Sequence, residues 1–352
     1  MLLVTRAPLR LVLSGEGSLA SHHLERQDSA SIMATIGYHT YALITPGPAK
    51  GIRIISSDYG EACELRSCEM DDADAAFGVA KAAICYLNLC DRITVSLSSQ
   101  LPPRLGVGTP NAVATALIKG LAFWSGLDLG ATEVADLAGN IENPQGSLGV
   151  AKEDTYAIAL GGLNLVRKTR NRITAEPLAL SASIEARLEA GLMLFLAPHS
   201  NNVSNSAIRA ESEHLTNSTL DELQHINTAI QAALEQGDLA EYGQQLHYAH
   251  LLNLQARPLP ATPLERGYRL AHSLGAWGGT VTANEEGSGT LMLVCPPQAQ
   301  EEVNKALTQM GLLYRPITLI HEGVELFQTL PWPIAQTWQD LYVNRQEGAN
   351  LR

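Results

Sequence analysis

Paired cysteines are missing from this chain. Cys63, Cys68, Cys85, Cys90 and Cys295 form an odd set with no CxxC spacing, which reads as buried or incidental thiols in a reducing cytoplasm and not as a disulfide framework. Positive charge is also scarce. The 24 Lys and Arg residues against 36 Asp and Glu leave a formal charge of −12. That balance argues against nucleic acid or an anionic membrane as the main partner, because both reward clustered Lys and Arg. A small-molecule ligand is the better expectation. No apolar run approaches the length of a transmembrane helix, and the apolar start MLLVTRAPLRLVLSG is broken by Arg6 and Arg10 before a signal-peptide core could form. The expected location is therefore the cytoplasm. Internal repeats and low-complexity tracts are absent as well. What remains is an ordinary globular composition, 45% hydrophobic and 17% charged, over 352 residues, a length beyond what one typical core supports. Two domains are the default.

Periodicity divides the chain near residue 180. The first half alternates strands near Leu2 to Leu13, Thr40 to Ile44 and Ile52 to Ser56 with a helix from about Asp74 to Leu89. A strand at Ile93 to Leu97 follows, then helices from Pro110 to Trp124 and from Thr132 to about Glu142. Pro and Gly cluster between Asn143 and Gly149, as in an exposed functional loop. Arg167 to Pro177 is polar and basic, like a hairpin edge or domain junction. The second half opens with the apolar strand Leu192 to Leu196. Thr219 and Glu222 fit a capping box for a helix carrying Leu223, Ile226, Ile230 and Ala233. Gly237 stops it, and a second helix presents Leu239, Tyr242, Leu246 and Ala249 on one face. A segment from Leu264 to Leu274, a strand from Thr290 to Val294, a helix from Gln298 to Met310 and strands near Tyr314 to Leu319 and Val324 to Phe327 complete an α+β pattern.

The segment that carries chemistry is strand, tight glycine loop, helix: Ile93 to Leu97, then LPPRLGVGTPNAVATAL from Leu101 to Leu117. Gly106 and Gly108 allow dihedrals that a side chain forbids, Thr109 is expected to cap the helix, and Pro110 suits its first turn. Unbonded amides at a helix start, backed by the dipole, form a site for an anion such as a nucleotide phosphate. Such loops are also common as plain turns, so the motif needs company.

That company is present in order along nearly the whole chain. Arg6-Ala7-Pro8-Leu9-Arg10 continuing to Ser14-Gly15-Glu16-Gly17, the loop LPPRLGVGTPNAVA, Ile141-Glu142 with Ala151 to Ala157 and Gly161 to Asn164, and Gly275 through Pro297 together resemble the motifs of the GHMP kinases, nearest the heptose 7-phosphate kinase branch. The resemblance implies a two-domain α+β fold. A nucleotide-binding domain over residues 1–180 would contain a left-handed βαβ-type unit, and a ferredoxin-like sandwich would occupy 181–352. It implies ATP and Mg2+ as cofactors, with a sugar, sugar phosphate or related polyol as acceptor and a monomer or homodimer as the assembly. Asp154 matches the catalytic carboxylate that orients or deprotonates the acceptor hydroxyl. Lys152 and Arg10 would offset charge on the transferred group. Pro103, Arg104, Leu105, Gly106, Val107, Gly108, Thr109, Asn111 and Ala112 would line the nucleotide phosphates. Glu142 and Thr109 would hold magnesium, while Glu16, Ser18, Asp154 and Asn201 would face the acceptor.

Each of these residues has an ordinary alternative: a solvated or capping carboxylate, a surface cation, or an arginine paired with a structural acid. Several departures from the family pattern bear on activity. Leu19 stands where the heptose branch usually has a sugar-binding Asp, and Pro110 where a second serine often meets magnesium. Asn201 stands where an Arg would grip a substrate phosphate, and Glu285-Glu286 interrupt a nearly all-glycine stretch. Two readings therefore stand side by side: a working kinase, and a catalytically impaired relative that binds a metabolite or partner. His247 and His250, one helical turn apart, read as a solvated face in preference to a metal pair, and His22-His23 as no more than that.

Overall fold

A computed structural model of the chain describes residues 2–14, 29–48, 51–65, 77–89, 92–141, 152–169, 172–197, 217–256, 262–283 and 288–329. Glu16, Ser18, Leu19, His22-His23, Glu142, the 143–149 passage, Asn201 and Glu285-Glu286 lie outside these residues.

The larger of two sheets contains eight strands. In chain order its members are β1 (Leu2–Ser14), β2 (Ser29–Pro46), β3 (Ile52–Ser56), β4 (Glu61–Leu65), β5 (Ile93–Ser99), β6 (Leu163–Thr169), β7 (Arg172–Pro177) and β12 (Glu325–Thr329). They run β12-β1-β2-β5-β3-β4, with β6 on β2 and β7 on β6. The long β2 explains this layout. One edge pairs with β1 along nearly its whole length, while the other takes β5 at residues 40–46 and β6 at residues 29–34. The fork between them is filled by the chain at 318–320, where Gly37 N–H donates to Thr318 O at 2.8 Å and Ile320 N–H to Thr35 O at 3.1 Å. Helices α1 (Gly78–Tyr86), α2 (Thr109–Trp124), α3 (Ala131–Gly139) and α4 (Lys152–Leu160) belong to this half.

The second sheet runs β11 (Leu313–Arg315), β8 (Leu192–Ala197), β10 (Gly289–Val294), β9 (Gly278–Ala283), all antiparallel. Helices α5 (Ala182–Gly191), α6 (Asn217–Gln236), α7 (Leu239–Ala256), α8 (Pro263–Ser273) and α9 (Pro297–Gln309) accompany it. All six residues of β8 are buried, and they alternate between two cores. Leu192, Leu194 and Leu196 join the main core with Ile226, Ile230 and Tyr242, while Met193, Phe195 and Ala197 pack with Leu264, Leu291 and Leu307. A period of two with both faces covered is what an uninterrupted apolar hexapeptide in a central strand requires.

Several expectations from sequence change here. The 180 boundary falls between β7 and α5, yet β12 returns to the first sheet and pairs with β1, so the large sheet draws on both halves. The strand expected at Thr40 to Ile44 is part of the 18-residue β2. Of the helix expected from about Asp74 to Leu89, the described residues contain α1, and Asp74 lies outside them. Thr219 and Glu222 lie inside α6, which has already begun at Asn217, so they form no capping box. The segment expected as a strand to Leu319 is regular only through Arg315; beyond it, bonds to β2 hold an extended connection.

Candidate active site

The glycine loop bridges β5 and α2 over the fork in the large sheet. Left-handed backbone occurs at Arg104 (φ 65°), Gly106 (φ 79°) and Gly108 (φ 78°). Gly108 is the residue that caps α2, so Thr109 is its first helical residue and not the cap expected from sequence. The physical reason is that Gly108 adopts the left-handed turn that admits the chain to the helix, a conformation Thr would resist. Thr109 Oγ1 is thereby released from capping. It is buried with no hydrogen-bond partner, a costly state for a hydroxyl unless something supplies one. Leu105 and Val107 are buried and anchor the loop, Asn111 and Ala112 are buried in the first turn of α2, Pro103 is half-buried, and Arg104 is exposed.

Arg10 organises the site. From β1, its backbone N–H donates to Val107 O at 3.1 Å, Nη1 donates to Gly106 O at 2.7 Å, and Nη2 lies 2.5 Å from Asp154 Oδ2. Arg10 is 8% exposed and Asp154 6%, so the pair sits where screening by water is weak. Arg10 Nε is also buried without a partner. The chain packs tightly around this cation: a Cβ on Gly108 would lie 3.1 Å from Arg10 Cγ, and one on Gly106 would overlap the Thr282 methyl of β9. Thr282 thus brings the second sheet against the loop, a contact that no local pattern announces.

Helix α4 holds Asp154 in place through the four side chains that flank it. Lys152 Nζ donates to Asn140 Oδ1 at 2.8 Å, Glu153 meets Lys168 of β6 at 2.6 Å, and Thr155 Oγ1 donates to Ala135 O at 2.9 Å. Tyr156 donates to Asp136 of α3, and burial, aided by that carboxylate, pushes its phenol up to about 12. The structure therefore brings Arg10, Gly106, Val107, Gly108, Thr109 and Asp154 together. Lys152 lies on the exposed side of α4 beside the end of α3. Among the described residues no group of three His, Cys, Asp or Glu side chains is placed to hold a metal ion.

His247 and His250 do not form the solvated face expected from sequence. They belong to a partly buried cluster between α7 and α8, because both helices turn aromatic and charged residues toward each other. His247 Nδ1 is 2.8 Å from Tyr268 Oη and its ring stacks on His272 at 4.0 Å between centroids. His250 Nε2 lies 3.2 Å from Glu265 Oε2, within ion-pair range. Burial raises the Glu265 carboxyl, but His250 and Arg269 outweigh it and leave the group below the usual carboxylate value.

Residues 75–162 match the GHMP kinases N terminal domain. The chain is 26% identical over 341 residues to a D-glycero-alpha-D-manno-heptose 7-phosphate kinase of Campylobacter jejuni, covering 91% of this chain and 97% of that one. Its fold is similar to the crystal structure of a D-glycero-D-manno-heptose 1-phosphate kinase from Bacteroides thetaiotaomicron, with a TM-score of 0.74 at 23% identity over 93% of this chain and 99% of the other. A putative sugar kinase from Campylobacter jejuni aligns with a TM-score of 0.69 at 22% identity, covering 93% and 98% of the two chains. In the described residues no helix is long and apolar enough to cross a membrane.

Proposed function

We propose, on the premise that this chain is a member of the GHMP kinase superfamily, that it is an ATP-dependent small-molecule kinase acting on a sugar, sugar phosphate or related polyol. One observation carries the reading: a single buried guanidinium, that of Arg10, binds both the glycine-loop carbonyl and the carboxylate of Asp154. A plain turn has no need of a buried ion pair beneath it, whereas phosphoryl transfer needs a phosphate cradle, a cation and a carboxylate within reach of one another. The 1–180 and 181–352 division, with β12 shared back, belongs to the same reading. The strand order β11-β8-β10-β9 supports a ferredoxin-like second domain.

The residues present fit a nucleotide. The unpartnered Thr109 hydroxyl, the unpartnered Arg10 Nε and the α2 start without a side-chain cap are polar groups that a phosphate and its cation would satisfy. Backbone from Gly106 to Thr109 would hold the phosphates, and Thr109 with Glu142 would hold Mg2+. ATP, when bound, supplies the γ-phosphoryl group, and Mg2+ offsets its charge. Arg10 engages Asp154 Oδ2, so Oδ1 would accept the proton of the acceptor hydroxyl as its oxygen bonds to phosphorus and the bridging P–O bond breaks. Arg10 would then face charge developing on the transferred group while keeping the carboxylate oriented. Lys152, held to Asn140, would contribute only by leaving that partner.

Pro110 favours a second reading. At the second position of α2 it offers neither a hydroxyl nor an amide hydrogen where the resemblance implies a magnesium-binding serine. A protein that binds nucleotide without transferring its phosphate would follow. Thermal denaturation with and without MgATP, then ADP release with D-glycero-D-manno-heptose 7-phosphate, the 1-phosphate, galactose and mevalonate, separates the two. The kinase reading expects stabilisation by MgATP and acceptor-dependent ADP release. Stabilisation without release from any acceptor supports an impaired relative that still binds nucleotide, and no stabilisation overturns the kinase reading.

A further inference from the structure

Thr35 is 1% exposed and sits in β2 at the fork, between the stretch that pairs with β6 and the stretch that pairs with β5. Its hydroxyl accepts from Gly162 N–H at 2.7 Å and donates to Ile320 O at 2.7 Å. Its backbone repeats both links, with Thr35 N–H donating to Gly162 O at 3.0 Å and Thr35 O accepting from Ile320 N–H at 3.1 Å. One residue thus takes four bonds from two segments that lie far from it in sequence.

The two segments have distinct attachments. Gly162 is the second residue after α4, in a turn where Gly161 and Gly162 are left-handed at φ 75° and 79° and where a Cβ on Gly161 would overlap the backbone at Glu322. Ile320 belongs to the extended connection between the second domain and β12. Glu189 of α5 accepts from Leu319 N–H at 2.7 Å, and Val324 N–H donates to Ala159 O in the last turn of α4 at 3.1 Å. Thr35 also stands directly opposite Arg10 in the β1–β2 ladder. The geometry closes a circuit: Arg10 on β1, Thr35 on β2, Gly162 at the end of α4, Asp154 near its start, and back through the ion pair to Arg10.

We infer that Thr35 is a positioning residue for the proposed phosphoryl transfer, its hydroxyl fixing the seat of α4 and with it the placement of Asp154 against Arg10 and the glycine loop. The inference rests on the kinase reading for its effect on rate and on the geometry alone for its effect on structure. A helix is a stiff rod, so a shift at its C-terminal seat is carried to the carboxylate near its N-terminus. Errors of about 1 Å in such placement can lower turnover by about a hundredfold. Nucleotide affinity, which draws on the loop and α2, is largely spared.

Thr35→Val keeps the shape and removes the hydroxyl; Thr35→Ser keeps the hydroxyl. With MgATP and the best acceptor of the panel, kcat of Thr35→Val is expected to fall about tenfold to a hundredfold per folded molecule. KM for MgATP should change by less than about twofold, and Thr35→Ser should recover most of the rate. A purely structural threonine would lower the melting temperature and leave kcat alone, and that result overturns the inference, as does an equal loss in Thr35→Ser. If Thr35→Val does not fold, Thr35→Cys, whose longer bond and weaker donor displace Gly162, must lower kcat at unchanged KM; unchanged kcat overturns the proposal. If the wild type transfers phosphate to nothing, the kinase reading fails by itself, and crystal structures decide the rest. Displacement of Asp154 from Arg10 in whichever of the Val and Cys variants folds upholds the positioning role, and an unchanged contact ends it.

Discussion

Asp154 and Arg10 are each other's principal partner, which alters what a substitution should do. Asp154→Asn removes the proton acceptor, so turnover should fall by about a hundredfold or more, measured as ADP release at saturating MgATP and acceptor. It also leaves the Arg10 charge buried with a weaker partner. Breaking a buried pair can cost about 3 kcal/mol, which in a chain of this size is a melting shift of several degrees. A nucleotide phosphate would replace the missing anion, so MgATP should stabilise Asp154→Asn more than wild type in the same melting experiment. Equal stabilisation would mean that the phosphate does not reach Arg10. Arg10→Lys should also fail, because a single ammonium cannot span Gly106 O and Asp154 Oδ2 as the guanidinium fork does. Both residues were legible in sequence because their motifs keep a fixed order, although the ordinary alternative for Arg10, pairing with an acid, is also true of it. Thr35 was not legible. A threonine in an apolar strand carries no chemical signal, and its hydroxyl partners lie 127 and 285 residues away.

At the level of elements, the start of α2 shows what local sequence can and cannot specify. Glycine at 106 and 108 announced a tight loop, but Thr beside Pro also suggested a cap. Only the left-handed geometry of Gly108 settles which residue enters the helix. Gly108→Ala tests the point with an internal control. Gly126 has a similar dihedral, φ 85°, and open space around it, whereas a Cβ on Gly108 would lie 3.1 Å from Arg10 Cγ and 3.4 Å from Ile158 Cδ1. Both alanine variants should lose about 1–2 kcal/mol for the left-handed conformation, read as lower melting temperatures. Only Gly108→Ala should also displace Arg10 and weaken MgATP binding, by titration, about tenfold or more. Equal affinity in the two variants would show that the loop does not depend on that contact. Strand positions were mostly legible because alternation follows burial, as in β5, where Ile93, Val95 and Leu97 point inward. The length of β2 was not, since its three pairings and the bulge near Gly37 are made by residues remote in sequence.

Across the whole molecule, the sequence suggests a division near residue 180 but does not reveal the contacts that cross it. The return of β12 to β1, the 318–320 connection in the fork of β2 and the Thr282 contact on Gly106 all link one half to the other, and such non-local contacts leave no periodicity to read. The α7–α8 cluster is hidden in the sequence for the same reason, since the partners of His247 and His250, namely Tyr268, His272 and Glu265, come from α8. This cluster makes stability depend on acid. The His247 imidazole is held below its ordinary value of 6.5 by burial first, then by His272 and His250. His39, beside the start of the glycine loop, is lowered by burial and then by Arg6. A histidine that resists protonation in the folded state leaves the unfolded chain to bind the proton first. Stability is therefore intact above about pH 6.5 and declines as pH falls through and below it. Glu265, also lowered, extends the loss into the carboxylate range. Melting temperatures taken from pH 8 to pH 5 should be level at the upper end and fall below about pH 6.5. His247→Gln, which keeps a polar side chain but cannot take up a proton, should flatten part of that slope. An unchanged slope in His247→Gln would remove this imidazole from the account and leave His39 to carry the acid sensitivity of the fold.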